Sequence, residues 1–175
     1  MKAAFRYWIL VLGIALSAGS ASATHSRIAR DSFTVYFFLL EDCMISQAYP
    51  DVMQDLFARF ANDSIAFRGS FPNPLSRDSS VSAFLQKYEI TFPCLIAGSY
   101  NLAVQFGVTV TPEVVIYNHS RAEKVYQGRI DNMFERVGKR RRVVTSHELR
   151  DALESIHAGL PVPIPRTEAI GCLLN

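Results

Sequence analysis

Past its first two dozen residues the chain has no apolar run approaching membrane-spanning length, no internal repeat and no low-complexity segment. A second membrane span, a repeat array and a chain disordered as a whole are thereby excluded. Metal-ligand spacing is missing too. The four histidines, His25, His119, His147 and His157, are scattered without an HxxxH, and no CxxxC joins the three cysteines, so neither a structural zinc nor any other metal or cofactor is expected. An excess of charge of one sign is also lacking. The chain counts 18 Lys and Arg against 16 Asp and Glu, but Lys2 and Arg6 lie in the N-terminal segment and no acid precedes Asp31, so the remainder carries 16 of each. The one basic run, Arg136, Lys139, Arg140, Arg141 and Arg142, reads as a solvated loop; without a broader basic surface and interleaved aromatics, no nucleic-acid partner is expected.

What is present suits one compact domain: 175 residues, 49% hydrophobic and 19% charged, enough for a good-sized core. The opening MKAAFRYWILVLGIALSAGSASA pairs a Lys2/Arg6 n-region with a short apolar run and ends in Ala21-Ser22-Ala23. That is the pattern of a secretory signal cleaved near Ala23, with an uncleaved anchor as the alternative. The expected organisation is a signal peptide at 1–23, a short linker at 24–31, a folded domain at 32–160 and a C-terminal tail at 161–175. The expected location is periplasmic or secreted, with no membrane association beyond the export signal.

Cys43 is the residue with the most informative surroundings. Before it, Phe33 to Leu40 form an almost unbroken β-branched and aromatic run suited to a strand buried on both faces. After it, Ile45, Ala48, Tyr49, Val52, Met53, Leu56, Phe57 and Phe60 recur at helical spacing. The expectation is that Cys43 lies in the first turn of that helix, where unpaired N–H groups and the dipole stabilise a thiolate. A small buried core cysteine is the other reading. Asp42 beside it opposes ionisation if its carboxylate points toward the sulfur. In Cys43-Met44-Ile45-Ser46 a serine stands where a two-cysteine motif carries its second thiol, so Ser46 is read either as a hydrogen-bond donor to the thiolate or as a helix-start residue.

Three cysteines in an exported chain leave one unpaired, and Cys43 is expected to be free or transiently bonded. Cys94, following Pro93 in an apolar run, reads as a core cysteine or a resolving one. Cys172, near the C-terminus on a tail expected to be flexible, is open to resolving, intermolecular or idle roles.

Strands are also expected at Ser64–Gly69, Phe92–Ala97, Pro112–Tyr117 and Lys124–Ile130, the last two joined as a hairpin. Helices are expected at Ser79–Tyr88, around Leu102–Phe106 with Gly107 as its C-cap, and from a capping box at Thr145-Ser146-His147-Glu148 to Gly159. Thr111-Pro112 opens the first hairpin strand, where a proline belongs. The order implies an α/β sandwich with a mixed central sheet.

These pieces resemble the thioredoxin fold, specifically the redoxin branch related to alkyl hydroperoxide reductase and thiol-specific antioxidant proteins, and most nearly its exported bacterial members. The resemblance runs from about Ser32 to the end through VTPEV, YQGRIDN, GKRR, HELRDALESIHAGLPVP and the terminal Gly171-Cys172. It implies a thioredoxin-like three-layer α/β/α sandwich with Pro50 kinking the first helix. It further implies Cys43 as the reactive thiol, Pro112 as a cis-proline beside it, Val110, Thr111 and Pro112 as the substrate groove, and GKRR as a loop near the site. A peroxiredoxin places Thr or Ser three residues before its cysteine and Pro four before that; Leu40 and Tyr36 stand there instead. The leading expectation is a monothiol (CxxS) thiol–disulfide oxidoreductase using Cys43 and Ser46, with protein or small-molecule disulfides as partners and an external thiol as reductant. The alternatives are a thiol-dependent peroxidase acting on peroxide and a non-catalytic binding module.

Overall fold

The computed structural model describes residues 32–174, so the signal-like segment and the linker lie outside the described residues. In chain order the elements are β1 (Phe33–Phe38), a 3-10 turn (Ser46–Ala48), α1 (Pro50–Phe60), β2 (Ile65–Ser70), α2 (Asp78–Lys87), β3 (Cys94–Leu95) and α3 (Ser99–Phe106). Then come β4 (Val110–Thr111), β5 (Glu113–Asn118), β6 (Glu123–Gly128), β7 (Phe134–Arg136), β8 (Lys139–Arg140), α4 (Glu148–His157) and β9 (Cys172–Leu173).

The main sheet has the order β3-β2-β1-β5-β6, with β1–β2 and β2–β3 parallel and β1–β5 and β5–β6 antiparallel. Parallel βα units followed by a hairpin and a helix form the mixed sheet of a thioredoxin-like α/β/α sandwich. Strand alternation builds its layers. Val35 and Phe37 of β1 and Val114 and Ile116 of β5 join a core with Met53, Leu56, Val81, Phe84, Leu149 and Leu153. Phe38 and Val115 face the opposite side, against Ala103 and Phe106 of α3. Each such large side chain, buried completely, stabilises the fold by roughly 1.5–3 kcal/mol before ordering costs are counted. Gly107 caps α3 with φ 69°, a backbone conformation glycine adopts without a Cβ penalty, as its sequence position suggested.

Four expectations are corrected. Cys43 is not in the first turn of an α-helix: it sits in a turn before the 3-10 segment, and α1 begins at Pro50. Proline lacks an N–H and clashes with the preceding turn, so it fits the first helical position rather than a kink inside a helix. The capping box ahead of α4 is not formed, because Asn132 claims those residues instead. Its Oδ1 accepts the Thr145 and Ser146 N–H groups at 3.0 and 3.2 Å, its Nδ2 donates to Thr145 Oγ1, and Glu148 turns to Arg129. The tail is docked, not loose, as described below. Cys43, expected to be free or transiently bonded, is joined to Cys172, and Cys94 is the free cysteine. Smaller shifts of boundary are β3, reduced to two residues, and α3, which starts three residues earlier than expected.

The basic run lies on the exposed β7–β8 hairpin and the segment after it, where Glu135 pairs with Lys139 and Arg141. These solvent-screened pairs are each worth little.

Candidate functional site

The site forms where three segments meet at the C-terminal end of β1. The first is the turn after β1. Cys43 N–H donates to Leu40 O at 3.1 Å and Gln47 N–H to Cys43 O at 2.9 Å, which folds the chain back on itself. Ser46 is fully buried, and its Oγ accepts the Leu40 N–H at 3.2 Å. Its hydroxyl therefore pins the turn that carries Cys43. Met44, by contrast, is exposed.

The second segment is Val110-Thr111-Pro112, with a cis peptide bond at Thr111-Pro112. Thr111 is fully buried, and its carbonyl oxygen lies 3.4 Å from Cys43 Sγ. In the disulfide that sulfur carries no proton, so this is a contact; a reduced Cys43 would donate a weak S–H hydrogen bond there. Beneath the segment, Glu113 is buried, and Gln127 Nε2 donates to its Oε1 at 3.0 Å. Burial pushes the Glu113 carboxyl up, opposed by the Gln127 donor and by nearby Arg166 and Lys124.

The third segment is the tail. β9 pairs antiparallel with β4, setting Cys172 opposite Thr111 and Leu173 opposite Val110, and Leu174 N–H donates to Thr109 O at 2.9 Å. Cys172 is joined to Cys43 in a disulfide with Cα atoms 6.2 Å apart, inside the ordinary range. The sulfurs are 129 residues apart in sequence. Gly171 backs onto the Thr111 carbonyl so closely that a Cβ would overlap it. Leu173, Leu174, Leu40, Asn73, Pro74 and Leu75 line a groove alongside.

The structure thus gathers Cys43, Ser46, Val110, Thr111, Pro112 and Cys172, and leaves Cys94 elsewhere. Cys94 lies on β3, and burial pushes its thiol up to about 11. Only a small fraction of such a thiol is ionised near neutrality, which suits packing rather than exchange. Among the described residues no group of three His, Cys, Asp or Glu is placed to hold a metal ion. A cleft of about 640 Å³ is lined by Phe33, Asn62, Ile65, His157 and Leu160, at the other end of β1 from Cys43.

Sequence reasoning missed Gly171 as a packing residue and the strand formed by Cys172 and Leu173. The one available signal was the cysteine count together with a glycine before the terminal cysteine. It also missed the buried Tyr49–Asp131 hydrogen bond, 2.8 Å long, which ties the start of α1 to the segment after β6.

No family model matches the sequence, and no curated protein matches it. Solved structures do. A hypothetical protein from Sinorhizobium meliloti superposes with a TM-score of 0.69 at 23% identity, over 83% of this chain and 80% of its own. An uncharacterized conserved protein from Geobacillus kaustophilus gives 0.66 at 20%, over 83% and 78%. StoA from Bacillus subtilis aligns more loosely, with a TM-score of 0.48 at 15% identity over 55% of this chain and 72% of its own. At these identities the likeness concerns architecture alone. What the chain shares with the first two is overall architecture, and its own mixed sheet makes that architecture thioredoxin-like; what it carries on that fold is a Cys43–Cys172 disulfide seated against Thr111 and Pro112, an arrangement suited to a redox role.

Proposed function

We propose that the protein is a thiol–disulfide oxidoreductase in which Cys43 attacks and Cys172 resolves. The observation that carries this reading is the disulfide between a buried cysteine on a pinned turn and a cysteine on a two-residue terminal strand. The CxxS motif lacks its own second thiol, and the tail supplies one, so the enzyme is read as a dithiol pair split across the chain rather than a strict monothiol.

In the reducing direction the Cys43 thiolate attacks one sulfur of a substrate disulfide. That bond breaks, the other substrate sulfur leaves as a thiolate, and a mixed disulfide remains on Cys43. The Cys172 thiolate then attacks Cys43 Sγ and expels the second substrate sulfur, closing Cys43–Cys172. Two electrons pass from the chain to the substrate, and an external thiol restores the dithiol. In the opposite direction the same steps oxidise a substrate dithiol. Ser46 acts as a positioning residue through Leu40, and Val110, Thr111 and Pro112 supply the strand edge for the substrate. An intramolecular disulfide and the signal-like segment both favour an exported, oxidising compartment.

The test is exchange between the pure protein and a small disulfide, coupled to an excess of external thiol, for the intact chain, Cys43→Ser and Cys172→Ser. The expected result is loss of turnover in Cys43→Ser and slower turnover in Cys172→Ser, whose mixed disulfide only the external thiol resolves and which accumulates when that thiol is withheld. Rapid consumption of hydrogen peroxide with a sulfenic acid trapped at Cys43 in Cys172→Ser, and no disulfide exchange, would move the assignment to a peroxidase.

A further inference from the structure

The tail is held at two places of unequal strength. Its anchor lies on β6: Gln127 N–H donates to Pro165 O at 2.9 Å, Thr167 N–H to Gln127 O at 3.0 Å, and Arg129 N–H to Thr167 Oγ1 at 3.1 Å. Arg166 also donates to Gln127 Oε1 at 3.2 Å. Its tip, β9, has a two-residue ladder, the Leu174 N–H bond, a 3.5 Å hydrogen bond from Thr111 Oγ1 to Cys172 O and the disulfide. Reduction removes the covalent tie at the tip and leaves the anchor intact.

Between the two stands Gly171. A Cβ added there would overlap the carbonyl of Thr111 and lie 3.1 Å from Pro112 N. Both obstacles are backbone and cannot rotate away. Its φ lies outside the left-handed region, so lack of space, not torsion, demands glycine. The residue after the cysteine meets the opposite condition: Leu173 is 70% exposed and borders the groove of Leu40, Pro74 and Leu75, a place open to an apolar side chain.

We propose that Cys43 selects its disulfide partner by the residue preceding the partner cysteine. The β4 edge takes an extended Gly-Cys-apolar segment of a polypeptide, and the chain's own Gly171-Cys172-Leu173 is the tethered occupant that such a segment replaces. The inference rests on the thiol–disulfide reading above and names its substrate class. Only one strand fits on β4 at a time. A partner in mixed disulfide with Cys43 holds the place of β9, and the return of Cys172 both expels the partner sulfur as a thiolate and displaces its strand. Anchored at Thr167, Cys172 is never far from that bond, so resolution is intramolecular.

The test uses Cys172→Ser, whose site thiol is Cys43 alone, with the double variant Cys43→Ser/Cys172→Ser as background. The probes are two blocked peptides, Ile-Gly-Cys-Leu-Leu and the same sequence with alanine for glycine, each presented as its mixed disulfide with thionitrobenzoate. Cys43 attacks the peptide sulfur and releases thionitrobenzoate, which is followed by absorbance, and the peptide adduct is confirmed by mass. Rates are divided by those with free cysteine. The glycine peptide is expected to react about tenfold faster or more, the scale of an overpacked contact. Equal rates overturn the specificity while leaving the exchange chemistry standing. No release from either peptide or from the symmetrical thionitrobenzoate disulfide sinks the oxidoreductase reading itself. In the full chain, Gly171→Ala should raise the reduced fraction of the Cys43–Cys172 pair in a glutathione buffer about tenfold; an unchanged fraction also overturns the proposal.

Discussion

Two cysteine-bearing corners of the molecule, one at the edge of the main sheet and one on the separate β4–β9 ribbon, behave differently in space. At the β2–β3 edge, Cys94 packs on Gly69, where a Cβ would overlap its sulfur, and Phe92 covers the same glycine. At the β4–β9 corner, Cys43 is only 2% exposed, yet its sulfur faces a backbone carbonyl and a second sulfur. Burial alone therefore does not separate a free cysteine from a disulfide-bonded one. Both sulfurs meet a backbone carbonyl, Phe92 O at 3.5 Å for Cys94 and Thr111 O at 3.4 Å for Cys43, so the difference lies in the second sulfur and the tail strand that only Cys43 has beside it. Both corners also use a glycine to admit a close neighbour, a core sulfur at Gly69 and a main-chain carbonyl at Gly171.

The sharpest way to break the comparison is to remove each thiol in turn. Cys43→Ser is expected to lower thiol–disulfide exchange to the uncatalysed rate, whereas Cys94→Ala should keep most of it, measured by turnover of a small disulfide. Exchange lost in Cys94→Ala but kept in Cys43→Ser would reverse the roles assigned to the two corners.

Stability divides the corners next. The disulfide closes a loop of 129 residues, so Cys172→Ser and Cys43→Ser should each lose roughly 2–5 kcal/mol, and by similar amounts, because both remove the same cross-link. Urea unfolding with and without reductant checks this: the intact chain should fall to the level of the variants when reduced. A reductant-independent midpoint would mean that the tail tip contributes nothing to stability.

A smaller effect is expected at the other edge. Gly69→Ala inserts a methyl group against Cys94 Sγ and should cost about 1–3 kcal/mol. Combining it with Cys94→Ala should cost less than the sum of the two single changes, since the missing sulfur makes room. Strict additivity in the cycle would show that the two residues do not share the space.

The smallest effect is one of pH. The unfolded chain ionises Cys94 in the ordinary thiol range, near 9, but the folded chain does so only near 11, because burial penalises the thiolate. The folded state then holds more protons than the unfolded one across that interval. Stability is untouched below it and declines as pH rises from about 9 to about 11, and Cys94→Ala should flatten this part of the profile. An unchanged slope in the variant would show that other groups govern it.

Much of the fold was legible because strands and helices write their burial into local periodicity. Phe33 to Phe38 alternates between two apolar layers, and the sequence run showed it; Gly107 ends α3 because a left-handed residue is cheapest as glycine. Where reading failed, a distant group had replaced a local one. Glu148 completes a capping box only if nothing better is at hand, and Arg129 is better: its Nε donates to Glu148 Oε1 at 2.9 Å. Ser46 opens the 3-10 segment, in keeping with its reading as a helix-start residue, but its hydroxyl accepts the Leu40 N–H rather than donating to a sulfur.

The sequence by itself determined the α/β order, the placement of Cys43 after a buried strand and Pro112 at the head of another, and the absence of a second thiol in the motif. Those properties depend on neighbours within a turn or two. Only the tertiary structure decided which sulfur Cys43 meets, that the last residues form a strand on β4, and that Gly171 must lack a side chain. Each of these depends on the segments around Cys43 and Thr111 and the tail from 165 onward being brought together, and no local pattern of side chains encodes a contact across 129 residues.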